Sequence, residues 1–399
     1  MANVRWLRAF SGLWFVVLFS GLSLASEPPP VFIGLDAEFG HRTSTSARAI
    51  QQGIEIAIEE INAAGGVLGG RPLKLLVRDN RSIPARARAN LLDLLQVPDL
   101  VAVFCGKFSP TVLEVLPLIH EHRLIVLNPW AAADDIIDNG YDPNYVFRLS
   151  LRDRWAIASL LGHAENRGFW RVGFLLPNTS WGRSNQSALE AYLSGGARIF
   201  NVGIHWFNWD EKPLLPKYRS LVKAGAEAVV LVANEGEGAQ LIKEVAQLPK
   251  TEQRPILAHW GVTGGDLAAL AGDALHRVDF SVVQTFSFVG NRSPRAKRVL
   301  VALETRYGLR NPERILSPVG LAHAYDLTHI LARAIDLAGS TDRPKVRAAL
   351  EAVLDYDGLI KRYAQPFSPV RHEALEPRDL FIARYREDGA LAPLEQDAK

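Results

Sequence analysis

The sequence has a single cysteine, Cys105, among 399 residues. An internal disulfide is therefore excluded, which separates this chain from small exported domains that depend on cross-links. The spacings that mark common catalytic and metal sites are also missing. No Walker A run, HExxH, CxxC or GxSxG occurs, and no GxGxxG follows a strand-like segment. Gly236-Glu237-Gly238 comes nearest, but Leu241 stands where the third glycine belongs. An excess of one charge is missing too. Without Arg5 and Arg8, the 45 basic residues fall to the number of the 43 acidic ones. Nucleic acid and anionic membrane surfaces want a basic face, so neither is expected as a partner. Long apolar runs are absent beyond the N-terminus, so no further segment is expected to insert stably into a membrane.

The N-terminus itself carries a tripartite pattern. Arg5 and Arg8 precede an apolar run from Ala9 to Leu24, and Ser23-Leu24-Ala25 has the small-x-small form of a cleavage site. The alternative is a membrane anchor, but a run of about 16 residues falls short of the ~20 that a spanning helix needs. Residues 1–25 are read as a secretory signal, so the chain is expected in the periplasm.

Past that segment, short apolar runs alternate with amphipathic stretches. Val31–Leu35, Leu73–Val77, Leu100–Phe104 and Leu124–Leu127 read as strands. Between them lie helical stretches at Ala47–Ala63, Ala85–Leu95 and Thr111–His120. In the first helix Ile50, Ile54, Ile58 and Ile61 recur at helical spacing, and Gly65-Gly66 stops it. The rhythm restarts after Phe147-Arg148, with strands at Arg171–Leu176, Ala197–Trp206, Ala228–Val232, Ile256–Ala258 and Phe280–Thr285. A long helix, Gly320–Ala338, follows. Such alternation implies βαβ units, hence an α/β fold of two doubly wound parallel sheets covered on both faces. Ligands of open α/β sheets bind beyond the carboxyl ends of the strands, so two facing lobes are expected to line a cleft with those ends.

The turns at those ends hold the informative residues. In Gly106-Lys107-Phe108-Ser109-Pro110, Ser109 suits an N-cap and Pro110 the first helical position. An ordinary cap and an anion site reinforced by Lys107 fit this pattern equally well. Trp130, Trp181 and Trp260 each follow a strand, as do Phe39 and Phe108. Together they are expected to make a flat-walled apolar pocket. His120 and His122 read as a solvated helix end rather than a metal site, and Cys105 as a packing thiol. No metal and no cofactor is expected.

The run from Gly53 to Gly70, GIEIAIEEINAAGGVLGG, resembles the first helix and turn of type I periplasmic solute-binding proteins of the leucine/isoleucine/valine-binding branch, which serve ABC importers. Asp79, Pro84-Ala85, Ser109, Asn128-Pro129, Tyr145 to Arg148 and Trp181-Gly182 fall in matching order. The resemblance implies two lobes joined by three hinge crossovers, with borders at 26–149 plus 286–376 and 150–285 plus 377–399. It also implies a small-molecule solute held between the lobes, delivery to a membrane permease, and no enzymatic activity. A monomer is expected.

Site residues carry over unevenly. Ser109 matches the family serine that holds the amino-acid carboxylate. A second carboxylate-binding hydroxyl falls at Ala132, where it is lost. The family aromatic before glycine is Trp181. The acidic residue that binds the α-ammonium falls at Trp260, and an indole is no substitute for a charge, although cation–π contact remains open. Glu235 or Glu237 then stands as an alternative source of that charge. The expected contacts are Ser109, Trp130, Ala132, Trp181, Trp260, Phe108 and Glu235. The expected solute is an apolar or aromatic compound with a carboxylate. A branched-chain amino acid, a quaternary amine, a lipid-like solute, and a sensor that presents its ligand to a membrane receptor are the alternatives.

Overall fold

The computed structural model describes residues 28–311 and 314–394, together with Met1. The rest of the expected secretory segment lies outside the described residues. The first half of the chain runs β1 (Val31–Ala37), α1 (Ser46–Ala63), β2 (Leu73–Asp79), α2 (Pro84–Leu94), β3 (Leu100–Cys105), α3 (Ser109–Glu121), β4 (Ile125–Asn128) and β5 (Val146–Arg148). A second series follows: α4 (Asp153–Asn166), β6 (Arg171–Pro177), α5 (Ser180–Ser194), β7 (Phe200–Phe207), α6 (Leu215–Lys223), β8 (Ala228–Leu231), α7 (Glu235–Val245), β9 (Ile256–Ala258), α8 (Leu267–Ala271) and β10 (Phe280–Gln284). The remainder holds α9 (Pro294–Tyr307), α10 (Pro318–Ala338), α11 (Arg343–Ala352), a hairpin of β11 (Tyr356–Asp357) and β12 (Arg362–Tyr363), and finally β13 (Phe381–Tyr385) and β14 (Leu391–Pro393).

The first sheet has the order β2-β1-β3-β4-β5 and is parallel throughout. The second has the order β14-β13-β10-β9-β8-β6-β7. Its five strands from β7 to β10 are parallel and repeat the topology of the first sheet position for position, and β13 and β14 add antiparallel strands at one edge. Two doubly wound lobes are thus present. Of that edge, the sequence marks β13 as a short strand at Leu380–Tyr385; β14, only three residues long, is not marked by it.

Central strands are buried along their length, as parallel sheets covered on both faces require. All of β3 except Cys105 is buried, and so are β8 and β10 throughout. Helix α1 packs on α10 so closely that a Cβ on Gly53 would lie 2.1 Å from the Leu321 carbonyl oxygen. Any side chain there would push two core helices apart. Of the expected apolar stripe on α1, Ile50, Ile54 and Ile61 are buried and Ile58 only partly so; Ile56 is buried as well. Gly65 and Gly66 end the helix with positive φ, a conformation that suits glycine.

The chain passes between the lobes after β5, again after β10, and a third time between His372 and β13. The first and third passages run side by side: Arg148 N–H donates to the His372 carbonyl and Ala374 N–H to the Arg148 carbonyl. Among the described residues no helix is long and apolar enough to cross a membrane.

Candidate functional site

The carboxyl ends of the parallel strands of both lobes face one another. Because the two lobes repeat one topology, equivalent turns meet. Trp130 follows β4 and Trp260 follows the equivalent β9, and their rings lie 5.3 Å apart at 40°. Both are almost wholly buried. Phe108, after β3, meets Trp209, after β7, edge-on at 5.1 Å. Trp181, at the start of α5, lies at 80° to the His259 ring. These are the offset and edge-on geometries that aromatic quadrupoles favour.

One cavity lies among them, lined by Phe108, Ser109, Trp130, Ala132, Trp181 and Trp260, and also by Lys107, Pro110, Trp209, Asn234 and Gly261. The structure thus gathers six of the seven expected contact residues. The cavity measures about 10 Å³, room for roughly one water. The lobes are shut. Thr45 N–H donates to the Gly264 carbonyl at 2.7 Å, Ser317 Oγ to the Thr263 carbonyl at 3.1 Å, and Asp134 N–H to Ser184 Oγ at 3.0 Å.

Each wall is fixed from behind. Trp181 Nε1–H donates to Asp153 Oδ1 at 3.1 Å, and Asp153 opens α4 directly after the first crossover. His259 Nε2 lies 3.0 Å from the same oxygen, off the hydrogen-bonding direction. Gly261 lets Trp181 press against the turn: a Cβ there would sit 2.5 Å from the indole and 2.5 Å from the Ala233 carbonyl oxygen. Asn128 closes the Trp130 turn, donating to the Ala131 carbonyl and accepting from Trp130 N–H.

Two expected roles change. Helix α3 starts at Ser109, flanked by Phe108, and the Ser109 hydroxyl does not cap it; Oγ instead accepts from Ala133 N–H at 3.2 Å. The capping reading of Ser109 is therefore wrong, and the residue lines the cleft instead. Lys107 does not face an open anion site. Its Nζ donates to Glu235 Oε2 at 2.6 Å, and both side chains are buried. Glu235 accordingly stands behind the cavity wall rather than on it. Burial pushes its carboxyl up, but the charge and hydrogen bond of Lys107 outweigh this and hold it below the ordinary carboxylate range. Trp209 was missed by sequence reasoning, although it follows a strand as the other tryptophans do. Its Nε1 is buried and meets no acceptor among the described residues.

His323 on α10 braces the site. Its Nδ1 lies 2.7 Å from the Pro129 carbonyl, which only accepts, so Nδ1 carries the proton. Nε2 then accepts from Thr285 Oγ1 at 3.0 Å. The neutral ring is fully satisfied, and burial pushes its pKa down to about 3. With the folded value depressed, the stability it contributes is complete above the unfolded value of about 6.5 and is lost as pH falls. Each pH unit below that costs about 1.4 kcal/mol until the folded value is reached. Urea unfolding of the wild type and His323→Gln between pH 7 and 4 should show the variant losing less stability with falling pH. Equal slopes would refute a buried neutral His323.

His120 stacks on Tyr141 at 3.9 Å and its Nδ1 meets the Leu116 carbonyl, so it is a half-buried packing residue rather than a solvated helix end. Cys105 is half-buried, and burial together with the charge of Asp36 pushes its thiol up, away from the reactive thiolate. Among the described residues no group of three His, Cys, Asp or Glu is placed to hold a metal ion.

The comparisons agree with this architecture. A family model described as "Periplasmic binding protein" matches residues 30–390. The chain is 22% identical to Leu/Ile/Val-binding protein homolog 3 of Brucella melitensis, over 78% of this chain and 80% of that protein. It is 23% identical to the leucine-, isoleucine-, valine-, threonine- and alanine-binding protein of Pseudomonas aeruginosa, over 75% and 76%. Among solved structures, a type 1 periplasmic binding protein of Bordetella pertussis superposes with a TM-score of 0.80 at 23% identity, covering 92% of this chain and all of that one. A solute-binding protein of an ABC transporter from R. palustris, solved with 4-hydroxybenzoate, gives 0.76 at 16% identity, covering 92% and 96%. With two doubly wound lobes, a cleft between their strand ends and a family match over nearly the whole described chain, this protein belongs to the periplasmic binding protein family.

Proposed function

We propose that this protein carries an aromatic carboxylate in the inter-lobe cleft and delivers it to the permease of an ABC importer. The observation that carries the reading is the wall of four indoles, Trp130, Trp181, Trp209 and Trp260, on one cavity. Flat rings of this kind cover a flat apolar body well. Ser109 and the N-terminus of α3 supply a hydroxyl and partial positive charge for the carboxylate. Fold relatives solved with benzoate and 4-hydroxybenzoate support the reading. It takes the lobe borders at 26–149 with 286–376 and 150–285 with 377–399, export through residues 1–25, and a non-catalytic monomer. The cleft opens to admit the solute and shuts around it by hinge motion.

Thermal unfolding of the purified protein against benzoate, 4-hydroxybenzoate, 3-phenylpropionate and leucine tests this. A bound ligand at 100 times its dissociation constant adds about 2.7 kcal/mol of stability. Stabilisation by the aromatic carboxylates and not by leucine is expected. Stabilisation by leucine alone, in line with the names of the Brucella and Pseudomonas relatives, would replace this reading.

A further inference from the structure

Lys107 and Glu235 occupy matching places in the repeated topology, Lys107 in the turn after β3 and Glu235 at the first residue of α7 after β8. Their ion pair therefore crosses the cleft from one lobe to the other. The side chains are 1% and 0% exposed. Glu235 Oε1 accepts from Thr43 Oγ1 at 2.9 Å, so both carboxylate oxygens are satisfied from the opposite lobe. His41 Nδ1 approaches the same oxygen only to 3.8 Å. None of the residues lining the cavity is acidic.

A solute amine entering this cleft thus meets no carboxylate on the cavity wall: Glu235 is already paired, and Asp153 stands behind the Trp181 indole. It must either displace Lys107 from Glu235 and leave a buried ammonium behind, or remain itself buried without a counter-charge. Both are strongly unfavourable. A solute without an amine brings no competitor for Glu235, so nothing opposes the pair as the lobes close. We infer that Lys107 is a built-in ammonium: it neutralises Glu235 from within the protein, closes the cleft over solutes that lack an amine, and turns away amino acids. This deepens the aromatic-carboxylate reading and rests on it for the class of solute, but the ion pair is testable apart from it.

Lys107→Ala removes the ammonium and leaves a hole of the shape of n-propylammonium beside an unpaired Glu235. Propylammonium chloride should raise the thermal midpoint of Lys107→Ala beyond what equal sodium chloride does. It should leave the wild type and the Lys107→Ala/Glu235→Gln double variant unmoved. Equal response of all three proteins would overturn the inference.

The second measurement is calorimetric affinity for 3-phenylpropionate and phenylalanine, which differ by the α-ammonium alone. The wild type should favour 3-phenylpropionate, and Lys107→Ala should shift the ratio towards phenylalanine by at least about tenfold. An unchanged ratio would refute the role of Lys107. If the wild type takes neither probe, the proposed solute class fails, while amine rescue still reads the ion pair. Should Lys107→Ala not fold, Lys107→Met carries the affinity comparison, since it removes the charge while filling the hole.

Discussion

Truncation of Trp260 to alanine is expected to cost about 3–5 kcal/mol of folding stability, and to weaken binding of an aromatic carboxylate by about 30-fold or more. The stability loss follows from burial. Trp260 is 1% exposed, lies on the Trp130 ring and approaches the His323 ring at 5.7 Å. Its turn is short and anchored at both ends: His259 N–H donates to the Leu231 carbonyl, and Thr263 Oγ1 donates back to the Trp260 carbonyl. Such a turn has little freedom to collapse into the space the indole leaves, which puts the cost towards the upper end of the range. The affinity loss follows from position. Trp130 and Trp260 face each other from opposite lobes, so a flat solute that enters between them loses one of its two covering faces in the variant. Trp260→Phe keeps an aromatic face and should recover part of both losses. Denaturant unfolding without ligand and calorimetry with benzoate separate the two effects. Affinity unchanged in Trp260→Ala, with the fold intact, would remove Trp260 from the binding surface.

The repeated lobes explain why so much of this site was readable along the chain. In a doubly wound sheet the residue just past a strand is delivered to one end of the lobe, whatever its neighbours are. Trp130, Trp181 and Trp260 each stand at such a place, so locating strands was enough to gather them. Trp209 obeys the same rule after β7. The strand's end is legible to within one residue, but Trp209 stands in a turn of Asn208, Asp210, Glu211 and Lys212 that reads as solvated. Strand β5 has only three residues and β11 and β12 two each. Periodicity has no reach over such lengths. Helix α9 has a polar face that hides its buried Ala296, Val299 and Leu303. Charge pairing was the least legible feature. Lys107 and Glu235 lie 128 positions apart, and each alone is an ordinary residue of a polar turn. Only the closure of one lobe on the other makes them partners, and that closure converts Glu235 from an expected ligand contact into the counter-charge of a protein lysine.

The crossovers hold the other large expected effect. Arg148, at the end of β5, is wholly buried and forms a two-pronged pair with Glu373 on the neighbouring crossover, Nε to Oε2 at 2.9 Å and Nη2 to Oε1 at 2.5 Å. Its Nη1 donates to the Ala133 carbonyl at 2.8 Å, tying the Trp130–Ala133 segment to the hinge. A buried pair contributes little over an apolar substitute, but breaking it from one side costs about 3–5 kcal/mol, because a charge stays buried without a partner. The two sides are not equivalent here. Arg148→Met leaves Glu373 with Arg152 Nη1 at 3.5 Å. Glu373→Gln leaves Arg148 facing carbonyl oxygens and a neutral amide, while Arg152 keeps Asp134 and Asp138. Glu373→Gln should therefore be the more destabilising, near the upper end of that range, and Arg148→Met nearer the lower. The double variant should recover a substantial part of the summed loss, since it leaves neither charge alone. Urea unfolding of the three variants measures the cycle. Additive losses would show that the two side chains are not coupled across the hinge. Ligand affinity in the same variants reports whether the pair also sets the angle of closure. A fall in benzoate affinity with the cleft residues untouched would place the control of binding in the first and third crossovers, some way behind the indoles that meet the solute.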